Sequence, residues 1–305
     1  MSKLRVSIVE YLNTAPLVWG FTDGPLAGKY DLSFTVPSQC AEALRSGDAD
    51  IAIIPSIEYQ RIEGIAALPG IAIAAKGEVR SILVVAKKPI EMARRIALDT
   101  SSRSSTALVR LLAAEHWKIR PEYVEAGPDP SKMLQEADAA LVIGDPALRV
   151  SLKMEALAAR EASGGECCQG DPEDMPVPGF ETVFVYDVAH QWRELTGHSC
   201  VLAIWAGRRD AITTEVVADF EASKKYGLER IREISEGASI KLDLPPRALE
   251  RYLSRNIYYD LDDECLAGLQ HYFERTAAGG LIPSARPLEF AAKEKNSNAS
   301  AKATH

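Results

Sequence analysis

Tyr11-Leu12-Asn13-Thr14-Ala15-Pro16-Leu17 follows the apolar run Leu4 to Val9, and its reading decides how the chain opens. A strand-length apolar run, followed at once by an amide, a hydroxyl and a proline, predicts a β-strand handing over to a helix. Asn13 can donate and accept together, and Thr14 is a helix-capping residue type. Pro16 suits a first helical turn because its missing N–H has no partner there. The turn reads either as an ordinary capped helix start or as an anion-binding turn whose helix N–H groups face a ligand.

Working outward, the same punctuation recurs. Asp31 to Val36 alternates as a strand does, Pro37-Ser38 opens a short helix over Gln39 to Arg45, and Gly47 closes it. Asp50-Ile51-Ala52-Ile53-Ile54 is an unbroken apolar run of buried-strand type that ends in Pro55-Ser56, with Ile57-Glu58-Tyr59 starting a helical turn. Strand, helix, strand, helix predicts an α/β architecture, in which Ser56 lies at the C-terminal end of a parallel strand, where open α/β sheets collect ligands. Gly70 to Ala75 and Arg80 to Ala86 are further strands, and Lys87-Lys88-Pro89 reads as a linker into a second lobe.

That lobe opens on the strand Arg95 to Asp99, then Thr100-Ser101-Ser102-Arg103-Ser104-Ser105-Thr106, then a helix carrying Leu108, Val109, Leu111 and Leu112. One helix needs one capping hydroxyl, and this turn holds six. The surplus reads as a polar cradle for a carboxylate or phosphate, or as a flexible Ser-rich loop. Ala139 to Ile143 is another buried strand, followed by Gly144-Asp145-Pro146 and a helix through Leu148 to Ala158, with Asp145 placed either to cap that helix or to face a ligand. Ser163 to Phe180 is Gly- and Pro-rich and reads as an irregular surface connection. Thr182 to Tyr186 and Cys200 to Trp205 are strands. Helices are expected over 212–236, 245–255 and Leu261 to Thr276, the last closed by Gly279-Gly280, and the tail is expected to be disordered. No internal repeat is visible.

Length and composition bound the function. The 305 residues exceed one compact domain, so two lobes are expected. No apolar run reaches membrane-spanning length and no signal-peptide core opens the chain, which reads as cytoplasmic. A net charge of −8 argues against a nucleic-acid surface, so an anionic ligand has to be held by local dipoles and hydroxyls. The five cysteines are odd in number, and the only neighbours, Cys167 and Cys168, are adjacent; reduced structural thiols are expected. The histidines His116, His190, His198, His271 and His305 have no zinc spacing, and there is no nucleophile elbow or phosphate loop, so no metal or cofactor is expected. His190, at an element start between the lobes, reads as a structural or surface histidine more readily than a catalytic one. The site candidates Asn13, Ser56, Ser81, Ser104, Ser105 and Asp145 are mostly neutral hydrogen-bonders, suited to recognising and stabilising an anion rather than to nucleophilic attack.

Taken in order, five motifs resemble a known family: residues 11–17, Gly47 to Tyr59, Val79 to Val85, Ala97 to Ser105 and Ala140 to Leu148. They resemble the chorismate dehydratases of the futalosine route to menaquinone, over about residues 4–290. The sister dihydroxynaphthoate synthases of that route carry a Ser-Pro-Cys-Pro-Asn-Asp type of opening where this chain has Tyr11-Leu12-Asn13-Thr14. The resemblance implies a two-lobed type II periplasmic-binding-protein-like α/β fold with a ligand cleft between the lobes. The crossings are expected near 84–89 and 187–200, so that 1–86 with 200–290 form lobe one, 87–199 form lobe two, and 291–305 form the tail. It also implies a hydro-lyase that converts chorismate into 3-[(1-carboxyvinyl)oxy]benzoate and water. Carried over by motif, Asn13 and Ser81 lie nearest the chemistry and the Ser104-Ser105 turn holds a substrate carboxylate. Pro55-Ser56 and Gly144-Asp145 complete the walls, with Thr14 and Thr106 in the substrate-binding set. A non-catalytic solute-binding protein and the sister synthase are the alternatives that the same fold allows.

Overall fold

A computed structural model describes residues 3–162, 175–180 and 183–291. The Cys167-Cys168 pair, most of the Ser163 to Phe180 connection and the tail beyond Ala291 lie outside the described residues.

The chain builds two sheets in turn. The first half lays down β1 (Arg5–Val9), a 3-10 turn (Leu12–Thr14), α1 (Ala15–Thr22), β2 (Asp31–Thr35), α2 (Pro37–Ser46), β3 (Ile51–Pro55), a second 3-10 turn (Ser56–Gln60) and β4 (Ile65–Ala75). The second contributes β5 (Ile82–Ala86), β6 (Arg95–Asp99), α3 (Arg103–Glu115), β7 (Glu122–Ala126), α4 (Pro130–Glu136), β8 (Ala139–Ile143), α5 (Gly144–Ala162), β9 (Phe184–Asp187) and α6 (Val188–Thr196). The chain then returns through β10 (Cys200–Arg208) and α7 (Thr214–Leu228), α8 (Ile231–Leu242), α9 (Pro246–Arg251), a π-helical turn (Tyr252–Asn256) and α10 (Asp263–Ala278). Among the described residues no helix is long and apolar enough to cross a membrane.

Two five-stranded sheets result among the described residues, ordered β2-β1-β3-β10-β4 and β7-β6-β8-β5-β9. In each, three strands run parallel and the strand arriving from the other half is inserted antiparallel to both neighbours. The inner strands β3, β5 and β8 are buried at every residue, as their unbroken apolar runs require. Both sheets therefore follow one strand pattern, a correspondence that the amino-acid sequence does not display.

This pairing corrects the expected crossing at 84–89. Strand β5 pairs with β8 and β9, and the Lys87 N–H donates to the Asp138 carbonyl, so residues 82–89 already belong to the second sheet. The first passage runs through 76–81 instead, and Ile82–Ala86 leaves the set expected as lobe one. A fully apolar strand carries no mark of which sheet it joins, because that depends on long-range pairing. Strand β7 and helix α4 are short elements that local pattern does not mark. The helix expected over 212–236 is two helices, separated at Glu229 and Arg230.

Polar groups tie the halves together. The Asp187 carboxylate accepts N–H bonds from Val79 (3.2 Å), Arg80 (2.6 Å), Ala189 (3.1 Å) and His190 (3.0 Å), so one side chain caps α6 and pins the first crossing. His190 itself is exposed and pairs with Glu194 outside the cleft. Cys40, Cys200 and Cys265 are buried free thiols, as expected. Glu58, with a fully buried side chain, pairs with Arg45 (2.5 Å), Arg61 (2.9 Å) and, across the halves, Arg103 of α3 (2.8 Å). Removing that carboxylate takes the acidic partner from Arg61 and leaves Arg45 and Arg103 paired with Glu42 alone, all three guanidinium groups being about a third exposed. Glu58→Ala is expected to lower unfolding stability by about 2–4 kcal/mol, below the full range for a broken buried pair because the arginines reach water. Chemical denaturation measures this, and a loss under about 1 kcal/mol would show that the network contributes no more than a surface pair does.

Candidate active site

The C-terminal ends of β1, β3, β6 and β8 meet between the sheets, each followed by a helical turn. Asn13, Pro55, Ser102, Ser104, Ser105 and Gly144 come from these four junctions, and together with Ser81 they line one narrow cavity of about 60 Å³. Tyr11 and apolar side chains, among them Ile73, Ile82, Ile143 and Leu202, complete its wall, and among the described residues no charged side chain does. Two of the junctions begin the helices α3 and α5, whose N-terminal dipole ends favour negative charge nearby.

The opening turn is held by close packing from behind. Helix α1 lies so near α7 that a Cβ on Gly227 would sit 2.1 Å from the Pro16 carbonyl oxygen. The Ser223 hydroxyl accepts the Gly20 N–H at 3.1 Å and donates to the Leu17 carbonyl at 2.8 Å. Pro16 stands in the first turn of α1 as expected. Thr14 occupies the N-cap position, yet its hydroxyl makes no capping bond and instead donates to the Asn13 amide oxygen at 3.3 Å. The cap expected of Thr14 is thus replaced by a brace on Asn13, because the preceding 3-10 turn places the Thr14 backbone in a helical rather than an extended conformation.

Several candidates stand beside the cavity rather than in its wall. Asp145 accepts the Leu12 backbone N–H at 3.0 Å, across the two halves, and so fastens the opening turn to α5. Burial pushes its carboxyl above the usual carboxylate range, against the opposing pull of that N–H. Ser56 is turned away, donating to the Val201 carbonyl at 2.8 Å and lying 3.2 Å from the Ser104 hydroxyl. Ser104 also accepts the Ile57 N–H at 3.2 Å, and its own carbonyl accepts the Tyr272 hydroxyl at 3.1 Å, so it binds the halves together while lining the cavity. Thr106 lines a separate polar hollow with Arg103, Arg110 and Tyr123, one turn further along α3 than Ser102.

Two tyrosines add to the set. Tyr252, 1% exposed on the π-helical turn, is buried in the neighbourhood of Ser81 and Asn13, and burial raises its phenol far above the usual range. Nothing in the local pattern of residues 246–256 distinguishes it from a core aromatic. Tyr11, inside the opening stretch, lays its ring against Gly144, which adopts φ +65°; a Cβ there would come within 2.7 Å of the ring. Gly144 is thus required both by its left-handed backbone and by that ring.

A family model described as menaquinone biosynthesis matches residues 4–278. A chorismate dehydratase of Thermus thermophilus is 29% identical over 271 residues, covering 88% of this chain and 93% of that protein. Among solved structures, a protein of Archaeoglobus fulgidus aligns with a TM-score of 0.64 at 18% identity, covering 92% of this chain and 98% of its own. The periplasmic aliphatic sulphonate binding protein of Escherichia coli aligns with a TM-score of 0.57 at 16% identity, covering 99% and 97%. At such identities these likenesses establish the fold, the periplasmic-binding-protein-like α/β architecture with its cleft between two sheets.

Gly144→Ala is expected to lower thermal stability by at least the ~1–2 kcal/mol of a left-handed alanine, and to displace the Tyr11 ring. Calorimetry together with the tyrosine near-ultraviolet circular dichroism measures both, and an unchanged spectrum would contradict the packing.

Proposed function

The chain belongs to the menaquinone-biosynthesis family, and from that membership we propose that it is a chorismate dehydratase, a hydro-lyase forming 3-[(1-carboxyvinyl)oxy]benzoate. The observation that carries the reading is that Asn13 from the opening turn and Ser81 from the first passage line one cavity with the Ser104-Ser105 turn, a cavity lined by no charged side chain among the described residues. The likeness to the curated dehydratase supports the same activity. A biosynthetic role of this kind accords with the cytoplasmic setting expected above.

The chemistry suits such a site. Chorismate loses a ring hydrogen and the neighbouring hydroxyl. The C–H electron pair becomes a ring π bond, the C–O pair departs on oxygen, and the ring becomes aromatic. With aromatisation as the driving force, the protein has to orient the substrate, exclude water and suppress competing rearrangements. In this reading the Ser104-Ser105 turn and neighbouring helix starts hold a substrate carboxylate, while Pro55 and Gly144 shape the walls. Asn13 and Ser81 fix the enolpyruvyl arm so that its carboxylate reaches the ring proton. Thr14, Ser56 and Asp145 act from behind, through Asn13, Ser104 and Leu12 respectively. The two halves serve as lobes that close on the substrate.

Incubating the purified protein with chorismate and following the ultraviolet spectrum tests the reading. Conversion to an enolpyruvyl benzoate is expected, and unchanged chorismate excludes it in favour of a solute binder or the sister synthase. Asn13→Ala is expected to reduce kcat by at least ~100-fold with a smaller change in substrate affinity. Weak binding with normal turnover would remove Asn13 from the chemistry.

A further inference from the structure

Ser102 lines two spaces, the active cavity of about 60 Å³ and a larger hollow of about 640 Å³. The second has the size of an ordinary small-molecule site, and the dehydratase reading makes no use of it. Helix α3 supplies one of its walls. Leu108, Val109, Leu111 and Leu112 of this helix are buried, while Arg103, Thr106 and Arg110 are only partly so, and all three line the hollow. Spacings of three and four residues put these three on one helix face, one above the other. Tyr123 of β7 lines the hollow with them, and Leu98, Val124 and Leu281 add apolar surface.

The cations around this hollow differ in what they are bound to. Arg61 and Arg103 are already engaged: both pair with the buried Glu58, at 2.9 and 2.8 Å, and Arg103 also pairs with Glu42 at 2.5 Å. Arg110 is not. Its guanidinium carbon lies over the Tyr123 ring, 4.4 Å from the centroid, and among the described residues the group makes no hydrogen bond and no ion pair. The two acids of the lining leave it so. Asp99 keeps Oδ1 on the Ser101 N–H and hydroxyl, at 2.8 and 2.7 Å, and has Oδ2 buried. Glu125 is exposed and makes no ion pair among the described residues. A guanidinium over a ring is attracted through the ring's face and keeps its N–H donors for another partner. That planar fork matches a carboxylate or a phosphate. Thr100 and Thr106 bring hydroxyls to the same hollow, neither of them hydrogen-bonded within the described residues.

We propose that this hollow is a second ligand site, separate from the active cavity, for a small organic anion whose carboxylate or phosphate group is held by Arg110 and the Thr106 hydroxyl. The apolar surface of Leu98, Val124 and Leu281 takes the body of the molecule. Arg61 follows the 3-10 turn after β3 and Leu281 follows α10, whereas Arg110 and Tyr123 belong to the second sheet and its helix. The occupant therefore touches both halves and stabilises their joined form by mass action. The proposal is independent of the dehydratase reading, since Arg110, Thr106 and Tyr123 take no part in that chemistry.

Isothermal titration calorimetry of the full chain at fixed ionic strength tests it, with inorganic phosphate and citrate as separate probes. One site per chain is expected for at least one probe, and the tighter of the two identifies phosphate or carboxylate as the preferred group. Arg110→Gln is expected to weaken that binding by ~10–100-fold, the range for a lost charged hydrogen-bond donor, and Thr106→Val by ~2–10-fold. Arg110→Lys, which keeps the charge and loses the fork, is expected to fall between wild type and Arg110→Gln. Ser105→Ala, in the wall of the active cavity, is expected to bind the probe as the wild type does. Absence of binding by both probes up to ~10 mM, a level that detects even millimolar affinity, overturns the proposal. Binding that Arg110→Gln and Thr106→Val both leave intact overturns it as well. Binding lost in Ser105→Ala instead places the anion in the active cavity and overturns the separate site. Circular dichroism checks the fold of each variant, and if Arg110→Gln fails to fold, Arg110→Lys and Thr106→Val decide by the same criteria.

Discussion

Each sheet of this protein depends on an antiparallel strand that the chain lays down as it arrives from the other half. Strand β3 has β1 on one side and presents an unpaired edge on the other until β10 fills it; β8 stands in the same relation to β5. Open backbone edges buried beside an apolar core are costly, so neither sheet is finished until the chain has passed between them. This constraint makes the halves interdependent. It also points the C-terminal ends of β1, β3, β6 and β8 at one another, which is where the cavity forms.

The chemistry follows from what those strand ends carry. A chain of net charge −8 is poorly suited to attracting an anion at long range, yet the cavity wall holds amides, hydroxyls and helix starts rather than charges. Screening confines distant carboxylates to weak effects, while nearby dipoles set the field at the site. A wall without fixed charge also suits an elimination in which charge moves within the substrate, because an ionised side chain there would favour one stage of the reaction over another. Two acidic groups near the site, Asp99 and Asp145, do not line its wall, and burial shifts both toward the neutral form.

Charged groups do different work at the seam. Glu58 with Arg45, Arg61 and Arg103, and Asp187 with four backbone N–H groups, join elements that are distant along the chain. Buried ionic groups add little to stability over an apolar replacement, but they tolerate few alternative geometries. Placed between the sheets, they set how the halves meet, and thereby the distances between Asn13, Ser81 and Tyr252.

How much of this could be read in advance depended on range. The strand ends were legible because a buried strand leaves an unbroken apolar run and a helix start leaves Pro, Ser, Gly or Asp, as at Ile54-Pro55-Ser56 and Ile143-Gly144-Asp145. Asn13, Pro55, Ser104, Ser105 and Gly144 therefore stand out at such junctions, Ser81 takes its role from the family resemblance, and one cavity brings them together. Tyr252 did not, because an aromatic residue in a helical segment looks the same whether it faces the core or two polar side chains. Ser56, Thr14, Asp145 and Thr106 were visible as residue types, but their direction was not: three turn inward to brace the site and Thr106 faces another hollow. The amino-acid sequence by itself determined the α/β class, the order of the strand-to-helix junctions and the neutral, hydrogen-bonding character of the site, since periodicity, capping and composition are local. Only the tertiary structure decided that Ile82–Ala86 joins the second sheet, that both sheets share one strand order, and that Asp145 and Ser104 reach the backbone N–H groups of Leu12 and Ile57 across the halves, because strand pairing and buried polar contacts join residues that no local signal connects.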